Sequence, residues 1–199
     1  MNKFETLTAV AAPYPKKNVD TDLIIRIERC TGTPKAELGK YAFEMVRFLP
    51  GGAENPEFVL NQPRYRGAQI MVCGEFFGTG SSREVAVWAL ASLGVRCVIA
   101  PSFGQIFFNN CFQNGLLAIV LPPPVVEDLM KKASATDAKP FTVDLEKQTI
   151  NGSVHFEVAP RNKKMLLEGL DEIGLTLAME PKIAAFQIAD RKKRPWIYT

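Results

Sequence analysis

The stretch GEFFGTGSSREVAVWAL, residues 74–90, places glycines, two serines and an arginine between an apolar run and a predicted helix. Glycine lets the backbone approach a ligand closely, and the free N–H groups at the start of a helix attract negative charge. The guanidinium of Arg83 can pair with a carboxylate through two parallel hydrogen bonds, and the hydroxyls of Ser81 and Ser82 supply further donors. The segment therefore predicts a cup for a small organic acid.

A purely structural interpretation of the same residues competes with this one. Ser81 and Glu84 have the spacing of a capping box, in which the serine caps the helix and the glutamate bonds back to it. The motif by itself leaves helix capping and ligand binding equally open.

Three better-known kinds of site fit the segment less well. A dinucleotide fingerprint needs a glycine where Arg83 stands, and a Walker loop needs a lysine after its last glycine. The elbow of a serine hydrolase needs a second glycine two residues after Ser81, and His155 is the only histidine available as a base. We therefore disfavour a nucleotide site, a phosphate loop and a hydrolase triad.

Length and composition describe an ordinary globular protein. The chain has 199 residues, 47% of them hydrophobic and 23% charged. These values predict one domain over residues 1–199, with a core at about 1–125 and a small β meander and C-terminal helices at about 126–199. The net charge of +3 is too small to indicate nucleic acid, and the basic run 191–194 is interpreted as a solvated tail.

The sequence also gives expectations about the cellular location of the protein and about metal binding. No apolar stretch is long enough to span a membrane, and the start of the chain lacks the apolar region of a signal peptide, so we expect a cytoplasmic protein without a membrane partner. The four cysteines are scattered and are interpreted as core residues, and with one histidine they predict no metal site in this chain. They are Cys30, Cys73, Cys97 and Cys111.

The hydrophobic pattern predicts an α/β fold with a mostly parallel core sheet flanked by helices, its strands joined by right-handed crossovers. A first strand at 4–11 is expected to stop at Pro13, and segment 35–48 is interpreted as a flexible lid. The other predicted elements are strands at 68–73, 95–100 and 116–121, helices at 81–93, 103–111 (capped by Ser102) and 125–133, a meander at 141–145, 148–150 and 154–158, and helices at 162–168 and 181–189.

Several motifs accompany the cup in a fixed order along the chain, namely Asn18–Asp22, Phe77–Glu84, Ala100–Phe103, Asn110–Phe112 and Gly169–Thr176. With these motifs the chain resembles, over nearly its whole length, the small subunits of 3-isopropylmalate dehydratase, which correspond to the swivelling domain of aconitase. The resemblance implies an aconitase-like swivelling β/β/α domain.

The resemblance also implies an activity shared between two polypeptides. Such an enzyme is a hydro-lyase of leucine biosynthesis, which isomerises 2-isopropylmalate, a small dicarboxylic acid, to 3-isopropylmalate by dehydration and rehydration. A 4Fe–4S cluster is expected on the partner large subunit, where it acts as a Lewis acid. This chain would hold no cofactor and would be active only in the complex.

The family's roles can be carried over to matching residues. Ser81 would be the catalytic base, acting as an alkoxide. The further implied residues are the substrate-binding Ser82, Arg83, Lys35, Gly80 and Thr79, and a supporting layer of Asp20, Thr21, Asp22 and Glu84. For Asp20 and Asp22, turn formation and helix capping are an equal alternative.

The chain departs from the family pattern near the cup. Thr79, Val85 and Val87 stand where typical members have cysteine, histidine and proline, and Lys35 stands where they have arginine. Lysine keeps the charge but loses the two-pronged geometry of arginine. Two alternatives therefore stay open: a paralogous dehydratase for citramalate, dimethylmalate or a homologous acid, and a non-catalytic relic that still binds carboxylates.

Overall fold

A four-stranded parallel sheet forms the centre of the computed structural model, which describes residues 1–198. Its strands are β2 (Ala11–Tyr14), β3 (Ile70–Cys73), β4 (Cys97–Ala100) and β5 (Leu117–Val120), in the spatial order β2-β3-β4-β5. Every residue of β3 and β4 is buried, as expected for strands covered on both faces. The predicted α/β class with a parallel core sheet is confirmed.

The predicted first strand is in fact two strands. The structure divides this part of the chain into β1 (Thr6–Ala9) and β2, which belong to different sheets. Contrary to the prediction, Pro13 does not end a strand but lies inside β2. This strand is at the edge of its sheet, where a residue without an N–H group is tolerated.

Eight α-helices surround or extend from the sheets in residues 1–198. They are α1 (Thr21–Ile24), α2 (Glu44–Arg47), α3 (Val85–Leu93), α4 (Gln105–Gln113), α5 (Pro123–Ser134), α6 (Pro160–Glu168), α7 (Glu172–Leu177) and α8 (Glu180–Lys193). Helices α3 and α4 connect neighbouring parallel strands, and α5 packs against β2, β3 and β4. Ser102 does not cap α4 as predicted, because Gly104 occupies the N-cap position and the Ser102 hydroxyl accepts a bond from the Phe76 N–H.

The second sheet is antiparallel and contains the predicted meander. Its strands are β6 (Phe141–Asp144), β7 (Thr149–Ile150) and β8 (Val154–His155), and β1 joins them in the order β1-β6-β7-β8. A single cluster of buried hydrophobic residues contains members of both sheets.

The predicted lid is packed onto a helix. Its first part is a 3₁₀ turn at Lys35–Lys40, where the Gly39 N–H donates to Ser92 Oγ at 2.9 Å and Ser92 Oγ donates to Ala36 O at 2.7 Å. A Cβ atom on Gly39 would lie only 2.5 Å from Leu93 N. The glycine therefore lets this turn lie directly on the C-terminal half of α3, and the interpretation as a free lid is wrong for residues 35–40.

The basic run 191–194 is exposed to solvent, as predicted, but it forms the last turn and the C-cap of helix α8 and not a tail. Arg194 Nε contacts Asp190 Oδ1 at 2.7 Å, and the Tyr198 hydroxyl donates to Asp190 Oδ2 at 2.9 Å. Basic side chains at the last turn of α8 also compensate the negative end of its dipole. Within residues 1–198, no helix is both long and apolar enough to cross a membrane.

The loop that follows β3 depends on a glycine, because its backbone passes close to a neighbouring ring in a left-handed conformation. Gly78 has a φ of +73°, and a Cβ atom there would lie 2.3 Å from the ring of Phe107 on α4. Phe107 is buried and packs edge-on against Phe77 with ring centres 5.6 Å apart. Any side chain at position 78 would therefore meet a ring that is itself fixed.

We predict that Gly78→Ala destabilises the protein more than Gly67→Ala does. Gly67 has nearly the same φ, +77°, but no atom within 4 Å of its would-be Cβ. Both changes incur the left-handed penalty of roughly 1–2 kcal/mol, and Gly78→Ala adds about 1–3 kcal/mol of overpacking. Urea denaturation measures both free energies of unfolding, and equal losses would contradict the close packing at Phe107.

Candidate active site

Two segments from distant parts of the sequence pair along their backbones. The N–H groups of Gly78 and Thr79 both donate to Val19 O, at 2.7 Å and 3.2 Å, and the Thr21 N–H donates to Thr79 O at 2.9 Å. These bonds fix the loop after β3 against the chain that enters α1. Thr79 takes part through backbone atoms.

The hydroxyl of Thr21 ties this pairing to the predicted cup. The residue is only 1% exposed, and its Oγ1 donates to Ser81 O at 3.1 Å while it accepts from Arg83 Nη2 at 3.4 Å. One buried hydroxyl thus positions the backbone of Ser81 and the side chain of Arg83 together.

Arg83 is held as a cation in a largely buried place. Its Nη2 contacts Asp22 Oδ1 at 2.6 Å, and its side chain is 15% exposed against 59% for Asp22. The hydrogen bond from Arg83 to Asp22 raises the pKa of Arg83 above its usual value. Its Nε and Nη1 atoms are buried and have no hydrogen-bond partner within residues 1–198. Buried N–H groups are nearly always bonded, so this guanidinium carries donors that await an acceptor.

The two serines precede Arg83 in the sequence, and both lie at the surface of the protein. Ser81 and Ser82 are exposed, and no hydrogen bond inside the described part of the chain engages either hydroxyl or either backbone N–H. Gly80 has a φ of +87°, which turns the chain at this point. Successive free N–H groups next to left-handed residues form concave sites for anions. Within residues 1–198, the loop therefore presents two unbonded hydroxyl groups and two unbonded N–H groups at the surface, next to a glycine in the left-handed region.

The predicted helix start at Ser81 is wrong. Helix α3 begins at Val85, and Glu84 occupies the N-cap position without a side-chain capping bond, so the capping box does not form. The physical reason is tertiary, because the turn at Gly80 and the bond from Thr21 hold the Ser81 carbonyl away from the helix axis.

The two aspartates before α1 differ in what they contact. Asp20 caps α1, its Oδ1 accepting from the Leu23 N–H at 2.7 Å. Capping thus accounts for the carboxylate of Asp20, one of the two alternatives left open by the sequence. Asp22 instead pairs with Arg83 and is the acid that belongs to the cup.

Lys35 and Glu84 belong to a second cluster, organised by Asn114. The Asn114 amide donates to Glu84 Oε1 at 2.6 Å and to Asn110 O at 2.9 Å, and its oxygen accepts from Trp88 Nε1 at 2.9 Å and Lys35 Nζ at 3.1 Å. The Lys35 ammonium also lies 4.5 Å from the centre of the Trp88 ring. The structure thus brings Lys35 to Glu84 and not into contact with Arg83.

Asn114 was missed by sequence reasoning as a residue of the site. The pair Asn114–Gly115 indicates only the end of a helix, and Asn114 does occupy the C-cap of α4. Nothing local distinguishes a capping asparagine from one that also bonds to three residues outside its own helix.

The cysteines and the histidine do not assemble a metal site. Cys73, Cys97 and Cys111 are buried, as predicted for core residues, and burial raises the pKa of each thiol. Cys30 is partly exposed and lies next to Arg83, and His155 is exposed on β8. No group of three or more His, Cys, Asp or Glu side chains in residues 1–198 is placed to hold a metal ion.

We predict that Asn114→Leu lowers the free energy of unfolding by about 1–3 kcal/mol, because Trp88 Nε1 loses its acceptor and Glu84 its donor. Asn109→Leu is the matched control, since Asn109 is exposed and accepts only one bond, from Gln105 at 3.3 Å. That control should change stability by less than about 0.5 kcal/mol. Chemical denaturation measures the free energy of unfolding of both variants. If Asn114→Leu had the stability of the wild type, the stabilising role of the Asn114 cluster would be refuted.

Comparisons with known proteins show which family the chain is similar to. The family model of the aconitase C-terminal domain matches residues 1–124, and a model of the C-terminal domain of 3-isopropylmalate dehydratase small subunits matches residues 172–198. Similar curated proteins include the 3-isopropylmalate dehydratase small subunits of Paramagnetospirillum magneticum and Parvibaculum lavamentivorans. Each is 51% identical over 201 residues, covering 99% of this chain and 100% of the relative.

A solved structure has the same fold. The 3-isopropylmalate dehydratase of Methanocaldococcus jannaschii matches with a TM-score of 0.64 and 24% identity, covering 92% of this chain and 99% of that one. At this identity the likeness bears on the fold alone. The identity of about half over full length to the curated relatives goes further: the chain belongs to the 3-isopropylmalate dehydratase small-subunit family, built on an aconitase C-terminal domain.

Proposed function

We propose that this chain is the small subunit of a two-component hydro-lyase that isomerises 2-isopropylmalate to 3-isopropylmalate in the cytoplasmic synthesis of leucine. The full-length relatives that carry this name support the proposal. The observation that carries it is the pairing of residues 18–22 with 78–83, which places Arg83 with unused donors next to the exposed Ser81 and Ser82.

The cup suits one carboxylate of a diacid. In this proposal the substrate carboxylate accepts hydrogen bonds from Arg83, from the hydroxyl of Ser82 and from the free N–H groups of the loop. The Nε and Nη1 atoms of Arg83 are shielded from solvent, so Arg83 must shift when the substrate binds. Asp22, its more exposed partner, is the contact that the substrate would replace or share.

Ser81 serves as the base. Its Oγ accepts the proton from the carbon next to the one that bears the hydroxyl group, the hydroxyl then departs, and an unsaturated diacid results. Hydroxide then adds to the carbon that lost the proton, and Ser81 returns its proton to the carbon that lost the hydroxyl group, so that no water is gained or lost overall. A serine alkoxide is costly at neutral pH, and the Arg83 cation and the nearby N–H dipoles lower that cost.

The large subunit supplies what this chain lacks. A 4Fe–4S cluster held there would provide a Lewis acid for the departing hydroxyl group. Lys35, predicted to bind a substrate carboxylate, acts in this proposal through Asn114 on Glu84, because its ammonium already contacts Asn114 and Trp88. Gly80 and Thr79 shape the loop, Thr79 through its backbone.

The proposal predicts that the isolated chain has no activity and that activity appears after anaerobic reconstitution with the cluster-bearing subunit. Among 2-isopropylmalate, citramalate and dimethylmalate, kcat/KM should be highest for 2-isopropylmalate, by about tenfold or more, as expected when a pocket discriminates by a few methyl groups. Formation of the unsaturated diacid is followed by ultraviolet absorbance.

The alternatives give different results in the same assay. Turnover by the isolated chain would contradict the division of labour between two subunits. A higher kcat/KM for citramalate or dimethylmalate would assign a paralogous substrate, and a stable complex without turnover of any of these acids would indicate a carboxylate-binding relic.

We predict that Ser81→Ala lowers kcat by about 10²–10⁴, the contribution of a positioned base, and leaves binding to the large subunit intact. Ser153→Ala is the control, because Ser153 is exposed on the turn between β7 and β8. Steady-state kinetics of the two reconstituted variants make the comparison. Wild-type turnover by Ser81→Ala would assign the base to another group.

A further inference from the structure

Exposed apolar side chains are concentrated at the C-terminal end of the chain. Sixteen large hydrophobic side chains are exposed in residues 1–198, and eight of them lie within residues 172–198, here named the C-terminal arm. These eight are Ile173, Leu177, Met179, Ile183, Phe186, Ile188, Trp196 and Ile197. A concentration of exposed apolar surface of this kind marks an interaction site.

The main helix of the C-terminal arm has little to pack against. All residues from 180 to 189 in α8 are exposed, and Asp190 is the only buried residue of that helix. Its main contacts within residues 1–198 are with the 3₁₀ turn Pro195–Ile197 that follows it. A helix of this length is marginal in water without tertiary packing. The helix therefore lacks the surface that would stabilise it.

One face of α8 has the pattern of a helix that lies in a groove. Met179, Ile183 and Phe186 follow one another at spacings of four and three residues, which places them in one stripe. All three are exposed, Phe186 by 62%. Apolar anchors at these spacings can occupy a hydrophobic groove on a partner, and α8 carries this stripe although the exposed Ile188 lies on another side of the helix.

We propose that the C-terminal arm is the docking element through which this chain binds the large subunit, an inference that rests on the proposed function. The family matches favour this occupant. The aconitase C-terminal domain model ends at residue 124, whereas the model that matches 172–198 is that of the dehydratase small subunit. The arm thus accompanies the domain where it is a separate polypeptide and needs an interface of its own.

The position of the C-terminal arm favours the same occupant. Its first residues, Glu172 and Ile173, line a cavity of about 460 Å³ together with Lys35, Asn114 and Glu84. Glu84, which lines this cavity, follows Arg83 directly in the sequence, so the cavity is one residue away from the predicted cup along the chain. A partner that covers the cup to deliver the metal can therefore extend directly onto the arm.

Charge argues against a second copy of this chain as the occupant. Helix α8 and its C-cap residue carry five basic and two acidic side chains. Two copies of the arm packed against each other would bring like charges together, whereas an acidic rim around an apolar groove would complement them. The large subunit is accordingly expected to present an apolar groove with an acidic rim.

The test uses the full-length chain and the full-length large subunit. The double variant Ile183→Ser/Phe186→Ser should weaken the Kd of the complex by about tenfold or more, since a few central apolar anchors carry most of the binding energy of an interface. Both side chains are exposed, so the melting temperature of the isolated chain should not fall. Val10→Ser is the control, because Val10 is 39% exposed and precedes β2 at the end of the sheet opposite the cup.

Calorimetric titration measures the Kd values, and kcat at saturating large subunit should stay near the wild-type value for the double variant. A wild-type Kd for the double variant would overturn the inference while the proposed function stands. If sedimentation showed that the double variant dissociates a dimer of the isolated chain and binds the large subunit normally, the arm would be a contact between copies. Failure of the wild-type chain to bind the large subunit would instead overturn the proposed function.

Discussion

The pairing of residues 18–22 with residues 78–83 is the constraint on which the rest of the site depends. It joins the chain that follows β2 to the loop that follows β3, two neighbouring strands whose carboxyl ends meet at one edge of the sheet. Ligands of parallel α/β sheets commonly bind at that edge. Because Thr79 takes part through its backbone, the replacement of the family's cysteine leaves this pairing unchanged. The same holds for Val85, which begins α3 only after the cup has ended.

Arg83 is held in a way that allows exchange of its partner. Its acid is Asp22, whose side chain is mostly exposed, and ion pairs with a solvated member contribute little stability. A deeply buried acid would hold the guanidinium more tightly and would resist replacement by a substrate carboxylate. Thr21 supplies the permanent part of the restraint through a neutral hydroxyl. Arg83 thus stays charged, its bond to Thr21 limits where the guanidinium can move, and its Nε and Nη1 donors are not bonded within residues 1–198.

The elements that the sequence predicted well are those determined locally. The buried strands and the meander follow from runs of apolar residues and from turn formers such as Asn151–Gly152, and both were found close to the expected bounds. The start of α3 was predicted four residues early because the capping-box spacing is a local signal, whereas the Ser81 carbonyl is bonded by Thr21, sixty positions away. Asn114 was missed for the same reason, since its partners Glu84, Trp88 and Lys35 lie outside its own helix. The anion cup predicted for residues 78–83 stays a prediction, and the N–H groups that would serve it belong to a loop and not to a helix start.

A strong interface at the C-terminal arm would reduce the binding affinity that contacts around the cup must supply. Once an arm is bound, the rest of the chain stays near its partner at a high effective concentration, so the contacts around the cup need not themselves supply the affinity. In the proposed mechanism weak contacts there are an advantage, because the loop and Arg83 would shift as each substrate enters and leaves. In aconitase-type enzymes built as one polypeptide, a covalent connection can keep the two parts together. In a separate subunit the exposed stripe of α8 performs that task, which explains why apolar side chains are left at the surface of an otherwise well-packed domain.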